Sequence, residues 1–456
     1  MQQEFNYQIE KEMLDSLIKN PKEFEHKHHS DVAKILKEIY HNEGKDVYIS
    51  YLRKIPEEYL GEVLLELPEY IRDEALEELS VKKLADAVDE LDSDDAADLV
   101  QDIAELDSQK EQEILSSLDE EDAKDIKHLQ GYSEDEAGSI MQTELFSAKL
   151  DEKIGESIER LKELKEDGLD NLNSVFLTDE FGLLIGYMPL EDVITFDFNK
   201  TYREHLKKQY KQVRFLSSTS SLDEVVNYFE DYDLMVLPIV DSQGHLIGRI
   251  TSDDIYDIIE ERATEQIYKM AGVHEESEEE RDVKLITKNR AIWLLINLFT
   301  AIAASLVIGL FDQTIQAYVA LAVLMPIVAS MGGNAGTQTL TVMVRQLALA
   351  EINWSEAKQA IGREVLVSLL NGLIFAVVMG LVALVWFGNY KLGIVIGLAM
   401  VINLLFAGSF GSMIPLALKK MGIDPAVASS VLLTTVTDIV GFFAFLGLAK
   451  VILIGN

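Results

Sequence analysis

Apolar residues follow three different rhythms along this chain. Over residues 1–130 they recur at helical spacing, as in Leu60, Val63, Leu64 and Leu67, and again in Leu91, Ala96, Leu99, Val100 and Ile103. Positions three and four apart share a helix face, so this stretch predicts amphipathic helices. Similar short units follow one another here: Leu79-Ser80 leads into Leu84–Val88, and Leu91–Asp95 leads into Ala96–Val100. Stacked short helices are the expected result. Residues 139–262 change to short β-rich runs at 174–177, 183–188, 235–240 and 246–250. Each pair of runs flanks an acidic turn, Thr178–Gly182 or Asp241–Gly244. Each is preceded by an amphipathic helix, near 154–166 and 222–230, and followed by a helix start bearing Asp192 or Asp253-Asp254. This is one β-β-α unit repeated about 60 residues apart. From Ala291 onward come five long apolar stretches, roughly 291–311, 316–343, 364–387, 392–418 and 426–453. Each reaches the ~20 residues needed to cross a hydrocarbon core.

Between the second β-β-α unit and the first apolar stretch, 254–271 contains no turn signal before Gly272 and predicts one long helix. Asp257, Glu261 and Glu265 lie four apart and stack on one face, with Glu260 beside them. Like charges at that spacing cost roughly 0.2–0.5 kcal/mol per pair. Bound cations would relieve this repulsion, and so would screening by salt. The following run, Glu275–Glu280, reads as a solvated loop.

Charge sharpens the division. The net charge is −38 over 456 residues. From Thr287 onward there are 9 Lys and Arg against 6 Asp and Glu, which leaves 31 basic and 72 acidic residues in 1–286. Such a field repels nucleic acid and anionic head groups, and it concentrates cations. Three acids, Asp94, Asp95 and Asp98, occupy adjacent turns at one helix start; they suit helix capping or a shared cation. There is no cysteine, which excludes disulfides, thiolate metal sites and Cys nucleophiles. His26, His28 and His29 have no soft ligand beside them and read as a solvated helix end. Met1–Met13 has acids and no apolar run, so no cleaved secretory signal is expected there.

The short loops between apolar stretches orient them in a bilayer. Lys284, Lys288 and Arg290 precede the first, Arg345, Lys358 and Arg363 follow the second, and Lys419 and Lys420 follow the fourth; the other side has only Lys391 and Lys450. The positive-inside rule places the N-terminal part in the cytoplasm and, after five crossings of the cell membrane, the C-terminus outside. The second stretch contains Pro326 and Gly332–Thr339, and the fourth contains Asn403, Gly408, Ser409, Gly411, Ser412 and Pro415. Glycines beside polar residues at that depth suit close helix packing, or unwound backbone lining a cavity. The fifth stretch carries Asp438, the acid deepest in the apolar region, with Thr434, Thr437 and Gly441 on the same helical face. A carboxylate there costs several kcal/mol unless paired or hydrated. Hydroxyls with a carboxylate, and no soft ligand, suit a hard cation such as Mg2+.

The repeated β-β-α unit resembles a tandem CBS pair, an adenine-nucleotide-binding sensor module. With the acidic helical part before it and five spans after it, the whole chain resembles the MgtE family of magnesium channels. The most specific likenesses are Gly332–Gln338, the Met421–Ala426 turn and Thr437-Asp438. The resemblance implies an all-α cytoplasmic N domain over 1–135, α/β CBS-like repeats over 136–200 and 201–258, a long connecting plug helix over 259–286 and a five-helix transmembrane domain over 287–456. It implies a Mg2+-selective uptake pathway, closed when intracellular Mg2+ binds the acidic domains. Pore cations would meet Asp438, Thr434, Thr437, Asn334 and Gln338. Regulatory cations would meet Asp94, Asp95, Asp98, Asp233, Asp254, Asp257, Glu261 and Glu265, with Asp424 at the cytoplasmic mouth. A homodimer with the pore on its two-fold axis is implied, as is ATP at the CBS pair with Asp254 near a ribose. Arg262 and Gln266 stand where acids often occur in that family. A secondary transporter coupled to H+ or Na+, with broken helices at the midplane, and a membrane-anchored nucleotide sensor are the competing readings. The chain has no Walker loop, no nucleophile motif with a base and no H-E-x-x-H, so an enzyme is not expected.

Overall fold

The computed structural model describes residues 2–166, 172–206, 213–273, 283–348 and 357–455. The expected solvated loop Glu275–Glu280 lies outside the described residues. The chain divides into two compact units, Met1–Glu261 and Arg262–Asn456.

The first unit begins with short helices: α1 (Gln2–Lys19), α2 (His29–Glu43), α3 (Lys45–Leu52), α4 (Glu57–Leu65), α5 (Glu69–Glu78), α6 (Val81–Val88), α7 (Ser93–Leu106), α8 (Ser108–Leu115) and α9 (Glu120–Leu129). Helices this short are marginal alone and depend on a shared core. Leu36, Leu52, Leu60, Leu64, Leu84 and Leu99 supply it, all fully buried. Local chemistry sets the breaks. Pro56 and Pro68 precede α4 and α5. Ser80 Oγ accepts from Lys83 N at 3.3 Å, and Asp107 Oδ1 accepts from Gln109 N and Lys110 N at 2.9 and 3.1 Å.

The β-β-α repeats follow. The first comprises β1 (Ser147–Lys149), α10 (Ile154–Glu166), β2 (Ser174–Thr178), β3 (Leu184–Pro189), α11 (Leu190–Val193) and α12 (Tyr202–Leu206). The second comprises β4 (Leu216–Ser217), α13 (Leu222–Tyr232), β5 (Val236–Val240), β6 (Leu246–Thr251) and α14 (Ser252–Ala271). Each sheet pairs a short leading strand parallel to the middle strand, which pairs antiparallel to the third. The leading strands, of three and two residues, are too short to give a periodic signal, so the sequence predicted only the hairpins. The likeness of the repeats extends to single atoms. Asp179 Oδ1 accepts from Phe181 N and Leu183 N at 2.8 and 3.0 Å, and Asp241 Oδ1 accepts from Gln243 N and His245 N, both at 2.8 Å. Gly182 and Gly244 close these turns at φ 88° and 91°, where a Cβ would be strained. The two turns then bond each other, Leu184 N to Gly244 O at 3.1 Å and Leu246 N to Gly182 O at 3.2 Å.

The second unit contains α15 (Val283–Gly309), α16 (Asp312–Ala317), α17 (Ala320–Ala348), α18 (Ala357–Phe387), α19 (Tyr390–Lys420) and α20 (Pro425–Ala449). Among the described residues, five of its helices are long and apolar enough to cross a membrane. The first qualifying stretch starts at Ile286, upstream of the expected 291, and the separate helix α16 delays the second to Ala320. Helices α17 and α19 run unbroken through Pro326, Gly332–Thr339 and Pro415. Most of their glycines serve close packing, Gly333 facing open space instead. A Cβ at Gly393 would stand 2.7 Å from the Gly380 carbonyl, one at Gly397 3.1 Å from that of Ala376, and one at Gly372 3.1 Å from Val401 Cα. These pairs step by four residues and form the seam between α18 and α19. With no hydrophobic drive between helices in lipid, such backbone approach is the source of cohesion. Replacing Gly393 by Leu is expected to destabilise the bundle by about 1–3 kcal/mol through overpacking, read as a lowered unfolding temperature in detergent by tryptophan fluorescence.

Candidate cation sites

Asp438 lies midway along α20, half-buried, and makes no hydrogen bond or ion pair to any described residue. Its expected companions divide. Thr434, one turn away, is exposed, with its hydroxyl donating to Ser430 O at 2.8 Å. Thr437 is fully buried and donates to Leu433 O and Thr434 O at 3.1 Å, so its oxygen faces its own helix. That differs from the expected ligand role: the angular spread of four residues in α20 puts Thr437 on the packed side. Asn334 and Gln338 lie one turn apart on α17 with exposed side chains. Two contacts fix their depth. Gly441 and Gly332 both abut Asn403, and Gly336 abuts Leu433. The helices therefore run antiparallel, with Asn334 bracketed at the level of Asp438.

At the Asp424 end of the bundle, Asp424 Oδ1 caps α20 by accepting from Ala426 N at 2.8 Å. Its other oxygen lies 3.1 Å from Lys269 Nζ, which lies 2.5 Å from Glu265 Oε1. Burial alone would lower the Lys269 pKa, but the two carboxylates outweigh it and hold the ammonium above its usual range. Met270 packs beside this latch against Leu340, Val344, Ala426 and Leu433. Glu265 and Asp424 are thus brought together around a cation that the chain itself provides. Lys269 drew no notice in the sequence because a lysine among acids usually marks a solvated face.

The main acidic cluster lies in the first unit. The start of α7 contributes Asp92, Asp94, Asp95 and Asp98, and their electrostatic neighbours include Glu62 of α4 and Asp254 and Glu261 of α14. Asp94 is 6% exposed, and its Oδ1 has no hydrogen-bond partner among the described residues. Burial, then Asp95 and Asp254, push its pKa well up. Burial and the carboxylates of Glu62 and Asp254 push Asp95 up to about 8. Asp92 is raised to about 6 by burial and Glu144, against Arg249. Asp98 stands at the wetted rim, where water screens it more than its neighbours. Protein around it and Asp102 still raise it to about 6, against Arg72. Asp254 and Asp257 are raised too, chiefly by burial. Asp254 accepts from Thr251 N and Oγ1 at 3.2 and 2.7 Å, and it acts electrostatically on Asp92, Asp94, Asp95 and Asp98, so it belongs to this cluster; it does not line the cleft at Asp233. Sequence spacing joined the α7 acids but missed Glu62, since only folding brings α4 beside them. Among the described residues no three carboxylate or imidazole groups converge into a ready-made coordination sphere.

Asp233 lies elsewhere. It ends α13 in the left-handed conformation (φ 49°) and lines a cleft of about 490 Å³ with Asn173, Tyr187, Glu191 and Tyr232. Arg214 stacks on the Tyr232 ring at 3.1 Å. Glu364, near the start of α18, is a further acid the sequence reading passed over. It is 9% exposed, accepts from Thr339 Oγ1 at 3.4 Å and has Arg363 Nε at 3.5 Å.

These features define a membrane protein with five candidate spans among the described residues and clustered, mutually repelling carboxylates. Three family profiles match the chain: the MgtE intracellular N domain over 27–135, the CBS domain over 209–261, and MgtE, described as a divalent cation transporter, over 325–448. The magnesium transporter MgtE of Enterococcus faecalis is 32% identical over 330 residues, 72% of each chain. That of Thermus thermophilus is 30% identical over 331 residues, again 72% of each. Among solved structures, the cytosolic domain of the Mg2+ channel MgtE in complex with ATP shares 27% identity, with a TM-score of 0.47 over 51% of this chain and 91% of that one. The chain belongs to the MgtE family.

The raised carboxylates fix the sign of a pH effect. The folded unit keeps protons that the unfolded chain releases near the ordinary Asp value of 3.8, so its stability falls as pH rises toward 8, the value about which Asp95 titrates. In chelator, the unfolding temperature should fall from about pH 5 to about pH 8. Millimolar Mg2+ should flatten that fall, and Asp95→Asn should shrink it, both measured by differential scanning fluorimetry.

Proposed function

We propose that this protein is a Mg2+-selective channel of the cell membrane, closed when intracellular Mg2+ binds its acidic unit. The observation that carries the reading is Asp438: a carboxylate at membrane depth, half-buried and without a partner among the described residues. A charge so placed is maintained where water or ions reach it. Asn334 at the same depth and Thr434 one turn away add neutral oxygens that can hold the water shell of a hard cation. In one chain this face is open, so the pathway is completed by a second copy, with Asp438 near a shared axis. The names of the relatives support Mg2+ as the ion. Unbroken α17 and α19 remove the broken-helix feature that motivated a coupled transporter.

Gating follows from the acidic cluster. Its carboxylates repel one another when ionised, and a divalent cation offsets that repulsion only in the arrangement that binds it. Helix α14 carries Asp254, Asp257 and Glu261 at one end and Glu265, Lys269 and Met270 at the other. Ion binding at the first end is thereby linked covalently to the end that seats Met270 among Leu340, Val344, Ala426 and Leu433. The cleft lined by Tyr187, Tyr232 and Asp233 is assigned to an adenine nucleotide, with Arg214 as the basic partner for its phosphates. The lysine and arginine pattern places the N-terminal unit in the cytoplasm and the C-terminus outside.

Asp438→Asn is expected to reduce Mg2+ influx into proteoliposomes to background while the protein remains monodisperse; undiminished influx would remove Asp438 from the pathway. Asp94→Asn with Asp95→Asn should raise the internal Mg2+ needed for closure about tenfold. Flux measured against internal Mg2+ reads that midpoint, and an unmoved midpoint would separate the cluster from gating.

A further inference from the structure

Asn403 is fully buried in α19, where three spans meet. Its Nδ2 donates to Val328 O of α17 at 2.8 Å. Its amide tip also occupies the space beside two glycines. A Cβ at Gly441 of α20 would stand 2.8 Å from Nδ2 and 3.1 Å from Cγ, and a Cβ at Gly332 of α17 would overlap the amide. Gly441 is one turn from Asp438, and Gly332 is two residues from Asn334. One side chain therefore touches both helices that carry the candidate pore groups, at their depth.

Its chemistry is costly there. Oδ1 has no hydrogen-bond partner among the described residues. A buried amide oxygen left unpaired is destabilising, and a leucine, branched at the same carbon though bulkier, would avoid that penalty. What leucine lacks is the bond to Val328 and a flat tip that fits between two backbones. The amide is thus explained by what it holds apart and in register.

We propose that Asn403 is a positioning residue for cation passage: it is the spacer that fixes the separation of α17 and α20, and so which hydrated divalent ion fits between Asn334 and Asp438. The inference rests on the proposed pathway along those two helices. A wedge acting through spacing makes a particular demand on substitutions. Enlarging a flanking glycine must mimic damage to the wedge, and shrinking the wedge must compensate for the enlarged glycine.

The test measures Mg2+ and Co2+ influx into proteoliposomes for Asn403→Leu, Asn403→Ala, Gly441→Ala and the double variant Asn403→Ala with Gly441→Ala, with unfolding temperature recorded for each. Each single variant is expected to shift the Mg2+ to Co2+ flux ratio at least about fivefold, and the double variant to return within about twofold of the parent, as coupled contacting residues do. A residue that only supported the fold would lower the amount of active protein without moving the ratio or showing compensation. Unshifted ratios in the single variants, or additive damage in the double, overturn the proposal. Asp438→Asn in the same liposomes separates the failures. If it blocks flux while Asn403→Leu leaves the ratio unchanged, only the spacer falls. If it passes Mg2+ freely, the pathway falls and the spacer with it.

Discussion

A carboxylate removed from water needs a positive partner, and this protein satisfies that need differently in three places. In the α7 cluster, buried Asp94 and its neighbours face one another, with Arg72 and Arg249 too few to balance them. Protons or a divalent cation must make up the difference. At Asp424 the chain supplies its own cation, since the Lys269 ammonium stands between two carboxylates. At Asp438 no described residue offers a charge. Burial is deepest at Asp94, and there the nearness of like charges counts most.

The repeats fix each other through reciprocal turn bonds, Leu184 to Gly244 and Leu246 to Gly182, so β6 is held in place where α14 begins. Helix α14 is continuous for 20 residues and ends at Gly272, whose φ of 72° turns the chain. Asp254, Asp257 and Glu261 lie toward its start, and Glu265 and Lys269 toward its end. In the bundle, glycine seams let backbones touch, and Asn403 is the exception that holds two helices apart.

The architecture was legible because each part has its own hydrophobic period. Apolar runs longer than a bilayer is thick gave the spans, heptad-like spacing gave the short helices, and duplicated hairpins with acidic turns gave the repeat. The pore glycines were read as permitting either packing or unwinding, and periodicity cannot choose between them. The short strands β1 and β4 went unseen because two or three residues carry no period. Thr437 was grouped with Asp438 by helical spacing alone, yet its hydroxyl is spent on its own backbone.

What the amino-acid order determined by itself was the set of elements and their charge, since periodicity and composition are local properties of the chain. Tertiary structure alone decided which charges meet. Glu62 and Asp254 are far from Asp95 in sequence and become its neighbours only when α4 and α14 pack beside α7. Lys269 becomes the partner of Asp424 only when the end of α14 seats against α20, and Asn403 becomes a spacer only when glycines from two other helices close on it. Electrostatic and steric contacts act through space over a few ångströms, a separation that distance along the chain does not encode.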